Sequence, residues 1–356
     1  MLYLKCMGAI FLKALIVTLV LLLFAAPGFV LKKLNMLGDG AKTTLSNILL
    51  YVCQPALILA AFTVFSDEDY AEILATPRTE LLTNFGIAAA VSLFSLLAMF
   101  GLCKLIFIKY KNRSAADVYT YIAMFSNCGF LGVPFIRMMA GSDAAVAVMY
   151  IMVFNLVFAV LIWTLGVYLI THDRKEISAK KVLINPTIIA SAVALLMFFV
   201  PQINIFMLDG VRELATIPSA LSTMTAPLAM ILVGIALAEL PIKNIFANPR
   251  VYLAGALRLI VAPFVAYGIA LLLRLIFVPH LAGGFTGTVY VFIAPVIAMA
   301  MSPASLIVAM TEHYGGEKEL AAAAYVNNTL LSIITVPLVM LAMGWLEYVL
   351  AWTVFI

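Results

Sequence analysis

Between Phe125 and Ile136 the chain reads FSNCGFLGVPFI, so that Ser126, Asn127 and Cys128 stand directly before Gly129, Gly132 and Pro134. The first three bring a hydroxyl, a carboxamide and a thiol, all able to form directed hydrogen bonds. Glycine lets backbone approach backbone or ligand, and proline removes an N–H and blocks the carbonyl one turn earlier. Together they suit the recognition of a small polar or anionic group by side chains and opened main chain. A regular helix gains nothing from them, since glycine costs about 1 kcal/mol and proline roughly 3 relative to alanine. The other reading is a kinked helix packed through small residues, its hydroxyls bonded to their own backbone.

A second place of this kind is AMAMSPASLIVAM, where Ser302 and Ser305 flank Pro303. Around these two stretches lie isolated polar residues in apolar surroundings. They are Gln54 beside Pro55 in YVCQPALILAAF, Asn155 in VFNLVF, and Asn327 and Asn328 in AYVNNTLL; Pro227 sits similarly in MTAPLAMILVGIAL. Gln54 reads either as facing a cavity or as bonding to a neighbouring helix. Arg258 in AGALRLIVAPF lies about two turns into an apolar segment, where a charge costs about 2.5–3.5 kcal/mol. It reads either as functional or as snorkelling to the interface near Arg250.

The elements that must position these residues are membrane helices. Of 356 residues 65% are hydrophobic and 11% charged, and apolar blocks near the roughly 20 residues that cross a bilayer recur throughout. The chain therefore reads as an all-α polytopic membrane protein. The expected spans are Ile10–Leu31, Leu45–Phe65, Leu81–Ile108, Tyr119–Ala140 and Ala144–Ile170, followed by Leu183–Val200, Ile217–Ala238, Val251–Val278, Val289–Thr311 and Leu320–Trp345. Lys5 and Lys13 before an apolar run imitate a secretory signal, but Pro27 after Ala25 and Ala26 is a poor cleavage context, so the first span is expected to stay. The four cysteines form neither a disulfide framework nor a zinc pattern.

Loops after the odd-numbered spans carry fourteen lysines and arginines, against five (Lys5, Arg78, Arg137, Arg212, Arg274) on the other side. The positive-inside rule puts the loop around Thr171 to Lys181 in the cytoplasm and both termini outside. The net charge of +4 is thus orientation information and does not imply nucleic-acid binding. The seventeen acidic residues fall in loops or near span ends, so no central carboxylate is offered as a proton relay. His172, His280 and His313 read as solvated loop residues. Neither HExxH nor GxSxG occurs, which argues against a hydrolase and implies no metal.

Five spans per half would make two halves of opposite orientation. The landmarks agree in spacing: Pro55 to Pro134 is 79 residues and Pro227 to Pro303 is 76. The halves are then 1–171 and 183–356, joined by the loop 172–182. In this arrangement the interrupted fourth and ninth spans meet near the bilayer centre, their helix ends offering N–H groups suited to a carboxylate.

LSNILLYVCQPALIL, SNCGFLGVPF, TAPLAMILVGIALAELPIKNIFANPRVYLAGALRLIVAPF and SPASLIVAMTEHYGG resemble segments of the auxin efflux carrier family, which includes plant auxin exporters and bacterial malate and malonate permeases. The short central loop resembles the bacterial members. The resemblance implies two inverted five-helix repeats with broken, crossing helices 4 and 9, the fold of the related bile acid sodium symporters. Helices 1, 2, 6 and 7 would form a scaffold able to make a homodimer, and helices 3–5 and 8–10 an elevator-like transport domain in the cell membrane. Asn127 and Pro134 match the first crossover and Pro303 the second. Ala304 and Ser305 depart from the asparagine or threonine many relatives place there, which leaves the substrate open. The expectation is a secondary transporter of a small organic anion held by Ser126, Asn127, Cys128, Gly129, Gln54, Ser302, Pro303 and Ser305, with no cofactor. The alternatives are a symporter coupled to a sodium ion and a non-transporting sensor.

Overall fold

The computed structural model describes residues 2–38, 40–176, 180, 183–208, 210–239, 241–277 and 288–349. His280, most of the central loop beyond residue 176 and the C-terminal residues 350–356 lie outside the described residues. Among the described residues the chain is helical, with one isolated β-bridge.

The first half contains α1 (Leu2–Leu23), α2 (Ala25–Lys33), α3 (Ala41–Ile48), α4 (Gln54–Thr63), α5 (Asp67–Ala75), α6 (Arg78–Ile106), α7 (Arg113–Met124), α8 (Val133–Ala140), α9 (Ala144–Leu161) and α10 (Val167–Thr171). After the loop come α11 (Pro186–Phe199), α12 (Thr216–Thr223), α13 (Thr225–Glu239), α14 (Ile242–Phe246), α15 (Pro249–Ala256), α16 (Ala262–Phe277), α17 (Thr288–Ala300), α18 (Leu306–Tyr314) and α19 (Lys318–Val349). Polar side chains set several starts. Ser66, Asn112, Asn185 and Asn248 each accept a first-turn N–H, for example Ala115 N to Asn112 Oδ1 at 3.1 Å.

Seven helical stretches are long and apolar enough to cross a membrane, and Pro186–Phe199 and Val289–Ala300 are shorter apolar helices. The expected tally of ten differs because the fourth and ninth spans are cut and the sixth, Pro186–Phe199, is short. The second piece of the fourth runs through the turn Gly141–Asp143 into the fifth, giving one stretch from Cys128 to Thr171. Along α1, α6 and α16 the exposed side chains include Leu12, Ile16, Leu23, Phe94, Leu97, Leu272 and Leu275. Bare apolar faces of this extent belong against lipid.

Among the described residues four π-helical turns interrupt the α-helices, at Leu49–Cys53, Cys128–Gly132, Ile162–Gly166 and Leu257–Val261. Three of them end two residues before a proline, namely Pro55, Pro134 and Pro263. Proline lacks an N–H and its ring strikes the carbonyl one turn back, and widening the preceding turn relieves that collision while keeping the chain helical. Pro55, Pro134 and Pro227, expected to open their spans, therefore do not. Pro55 and Pro134 lie in the first turn of α4 and α8, Gly132 in the π turn, and Pro227 in the first turn of α13. Pro303 alone of the four stands in non-helical backbone.

Tight packing is set by glycine where α2 crosses α13. A Cβ on Gly28 would lie 2.1 Å from the carbonyl oxygen of Ile231, and one on Gly234 would lie 1.9 Å from that of Ala25. The two backbones touch, as small residues allow in membranes. Elsewhere Phe62, Phe85, Phe198 and Phe199 join α4, α6 and α11, with Phe85 stacked on Phe198 at 5.3 Å between ring centroids.

Charged pairs close the ends. Glu239 of α13 takes Lys32 at 3.0 Å and Lys42 at 3.2 Å. Asp117 of α7 takes Lys104, and His172 lies 2.7 Å from its other oxygen. His172 is therefore bound to a buried carboxylate and is not simply the solvated loop residue the sequence implied.

Gly234→Ala should lower the melting temperature of the purified protein, because overpacking costs about 1–3 kcal/mol. Gly86→Ala in α6, where a Cβ meets nothing within 4 Å, should leave it unchanged or raise it. Equal behaviour of the two variants would contradict the backbone contact.

Candidate functional site

The chain leaves the helix at Phe125 and re-enters at Cys128, and leaves again after Ala300 to re-enter at Leu306. These two openings pair with each other. Asn127 N donates to Ser302 O at 2.7 Å and Ala304 N donates to Phe125 O at 2.9 Å, an antiparallel bridge centred on Ser126 and Pro303. The bridge answers a strict demand, since at membrane depth each main-chain polar group must find an internal partner. Asn127 O in turn accepts from Leu131 N and Gly132 N, both at 3.1 Å, and so starts the second helical piece.

Arg258 completes the arrangement. It is 0% exposed, which rules out the snorkelling reading. Its guanidinium donates to Met124 O at 2.9 Å, to Ala123 O at 3.2 Å and to Met299 O. Those carbonyls belong to the last turns of α7 and α17, the helices that stop at the two openings. The last carbonyls of a helix lack partners and carry about half a negative charge. One cation satisfies both ends, and its π turn at Leu257–Val261 is the local distortion in which the arginine sits.

Beside the bridge a cluster of amides forms. Gln54 Nε2 donates to Asn155 Oδ1 at 3.5 Å, and Cys128 Sγ lies 3.4 Å from the same oxygen. Gly129 makes room for it: a Cβ there would lie 3.0 Å from Gln54 Nε2 and 3.3 Å from Asn155 Oδ1. The Ser126 hydroxyl is buried and without a hydrogen-bond partner. Asn127 Nδ2, Asn155 Nδ2, Ser302 Oγ and Gln54 Oε1 are buried and without a protein partner. Buried polar atoms left in this way demand an explanation. Three of the four can donate a hydrogen bond and one only accepts, so the cluster favours an anionic or carbonyl-bearing guest.

Ser302 also borders a crevice between α1, α8 and α19, lined by Thr18, Leu21, Leu22, Leu131, Phe135, Met301, Ser332 and Val336. Thr18 bonds Ala14 O and Ser332 bonds Thr329 O, so Ser302 is the polar group there whose hydroxyl is uncommitted. Ser305 lies beyond the bridge, next to Tyr325. Thr18 and Ser332 were missed in the sequence because serine and threonine within apolar helices are common and silent.

Asn327 and Asn328 lie elsewhere. Asn327 Nδ2 donates to Ile245 O at 3.1 Å, tying α19 to α14. Asn328 Nδ2 donates to Ala324 O at 2.8 Å, and its Oδ1 sits where a Cβ on Gly255 would be only 1.9 Å away. Neither amide bonds a residue of the two openings, and both brace α19 against neighbouring helices. Gly255→Ala should therefore destabilise the protein, and Asn328→Ala in the same chain should restore much of the loss, a coupling read as a double-mutant cycle of melting temperatures. Additive effects would refute this contact.

Comparison with curated proteins found no match. A family model described as membrane transport protein matches residues 11–181 and 170–340, which takes in both openings, Arg258 and the amide cluster. The chain belongs to the membrane transport protein family of the auxin efflux carriers.

Proposed function

We propose that this membrane transporter is a secondary carrier of small organic anions, with the substrate carboxylate held where the two helix openings pair. The observation that carries the reading is the bridge of Ser126 with Pro303, with Asn127 Nδ2, Asn155 Nδ2 and Ser302 Oγ left as unpartnered donors beside it. Donors fixed in a low-dielectric site bind a carboxylate without reorganising. Asn127 is the residue whose main chain builds the bridge and whose side chain faces the guest. Gln54, from a different helix, orients Asn155.

Movement follows from how the helices associate. α2 packs on α13, and α4 on α11 and α12; α6, α9, α16 and α17 pack on one another, with the openings among them, and α1 packs on α19 across the two groups. In this reading the first group is the scaffold of helices 1, 2, 6 and 7. The second is the transport domain, and the crossed, broken fourth and ninth helices travel with it as it exposes the site to each side in turn. In the same reading the central loop is cytoplasmic, which the lysines and arginines of the loops after odd-numbered spans support.

The test is uptake of labelled malate into proteoliposomes, with and without an inward sodium gradient, by wild-type and Asn127→Ala protein. Loss of one hydrogen bond to a charged group removes about 1.5–3 kcal/mol, so uptake by the variant should fall roughly tenfold or more while its melting temperature holds. Unchanged uptake would remove the site from the crossover. Uptake that rises with the sodium gradient would replace the uncoupled carrier by a symporter, and tight binding without flux would make the chain a sensor.

A further inference from the structure

The cluster of donors explains how a guest is held but leaves open what excludes a cation, which could use Gln54 Oε1 and the opened carbonyls. The charges around the two openings can be followed one by one. α7 and α17 end there, each bringing about half a negative charge, and the helical pieces that start at Cys128 and Leu306 each bring about half a positive charge. Those four contributions cancel. Arg258 then adds a full positive charge, fully buried.

No carboxylate pairs with Arg258 among the described residues. Its terminal nitrogens are used on main-chain carbonyls, at Ala123, Met124 and Met299, apart from a contact with Met299 Sδ at 3.8 Å, and its Nε is buried without a partner. Carbonyl dipoles solvate the charge without neutralising it. The one buried carboxylate among the described residues, Asp117, is already paired with Lys104 and His172. The field at the crossover is therefore that of one uncompensated cation in a low-dielectric surrounding.

We infer that Arg258 is a specificity-determining and positioning residue: it holds the ends of α7 and α17 together and, by its unpaired charge, makes the crossover select anions over cations. It does this from behind the openings, its two terminal nitrogens spent on the carbonyls of Ala123, Met124 and Met299. The inference rests on the crossover being the transport site. It also sets the substrate class of that site, an anion whose charge is balanced by Arg258 and whose oxygens are bonded by Asn127, Asn155 and Ser302. A sodium ion at the crossover is disfavoured by the same charge.

Cys128 gives a probe that needs no knowledge of the natural substrate. Its thiol lies in the amide cluster, 3.4 Å from Asn155 Oδ1. Iodoacetate is a small carboxylate and iodoacetamide its neutral counterpart, and both alkylate thiolates with loss of iodide. The ratio of their rates at Cys128, read by peptide mass spectrometry on the membrane-reconstituted protein and divided by the ratio for glutathione, reports the sign of the local field. Thiolate fraction cancels in the ratio, and the cost of bringing a charged reagent into the site is common to wild type and variants.

The wild-type ratio should favour iodoacetate by roughly tenfold, the effect of one unit charge about 10 Å away at an effective dielectric near 20. Arg258→Lys should keep most of that preference and Arg258→Gln should abolish it. A merely structural arginine would change both rates together and leave the ratio alone. A wild-type ratio equal to that of glutathione overturns the inference without any variant, so a misfolded Arg258→Gln does not obscure the result. Failure of both reagents to reach Cys128 in any state overturns the reading of the crossover as a solute site, and the role of Arg258 with it. Malate uptake measured on the same proteins separates the two claims. A positive ratio without malate flux retains Arg258 and calls for another anion, and flux with a neutral ratio retains the carrier and removes Arg258.

Discussion

In a bilayer a main-chain group released from its helix has no water to bond, and the structure is organised around where two such releases are satisfied. The openings at residues 125–127 and 301–305 satisfy each other through Asn127 N to Ser302 O and Ala304 N to Phe125 O, and Arg258 takes the carbonyls that remain. Each bond to the guanidinium stabilises by about 1.5–3 kcal/mol. Three of them exceed the roughly 2.5–3.5 kcal/mol that an arginine costs in the membrane on insertion scales. The charge is thus held stably, and the openings are held with it.

The remainder of the molecule divides by how closely its backbones approach. Where α2 and α13 cross, glycine removes the side chains and the helices lock. Around the openings the neighbours are amides, a thiol and flexible apolar side chains. Gly132 shows the difference: a Cβ there would strike Ile151 Cδ1 at 2.9 Å and Met301 Cγ at 3.4 Å, the movable ends of long side chains. The contact between two helices of one group is thus rigid, and the contacts along the other are softer.

The π turns serve both requirements. Each widens a helix by one residue without releasing its main chain, three of them at positions where a proline two residues on would otherwise break it. The turn at Leu257–Val261 has the further role of carrying Arg258. Three of these turns come before a proline, while the real openings have polar residues and a single proline, Pro303. Proline in a membrane helix is consequently a poor marker of where the helix opens.

From the sequence alone the helical membrane class was legible, because apolar blocks of bilayer length leave no other fold. The two polar interruptions were legible too, since Asn127, Gly129 and Ser302 have no other use in such blocks. Only the tertiary structure decided which residues share the site. It brought Gln54 and Asn155 to Gly129, sent Asn327 and Asn328 to Ile245 and Gly255 instead, moved the first opening upstream of Pro134, and placed Arg258 under both breaks. The reason is physical. Composition and period report what one helix exposes to lipid or protein, whereas hydrogen bonds between residues such as Arg258 and Met124, 134 positions apart, depend on which faces the packed helices turn toward each other.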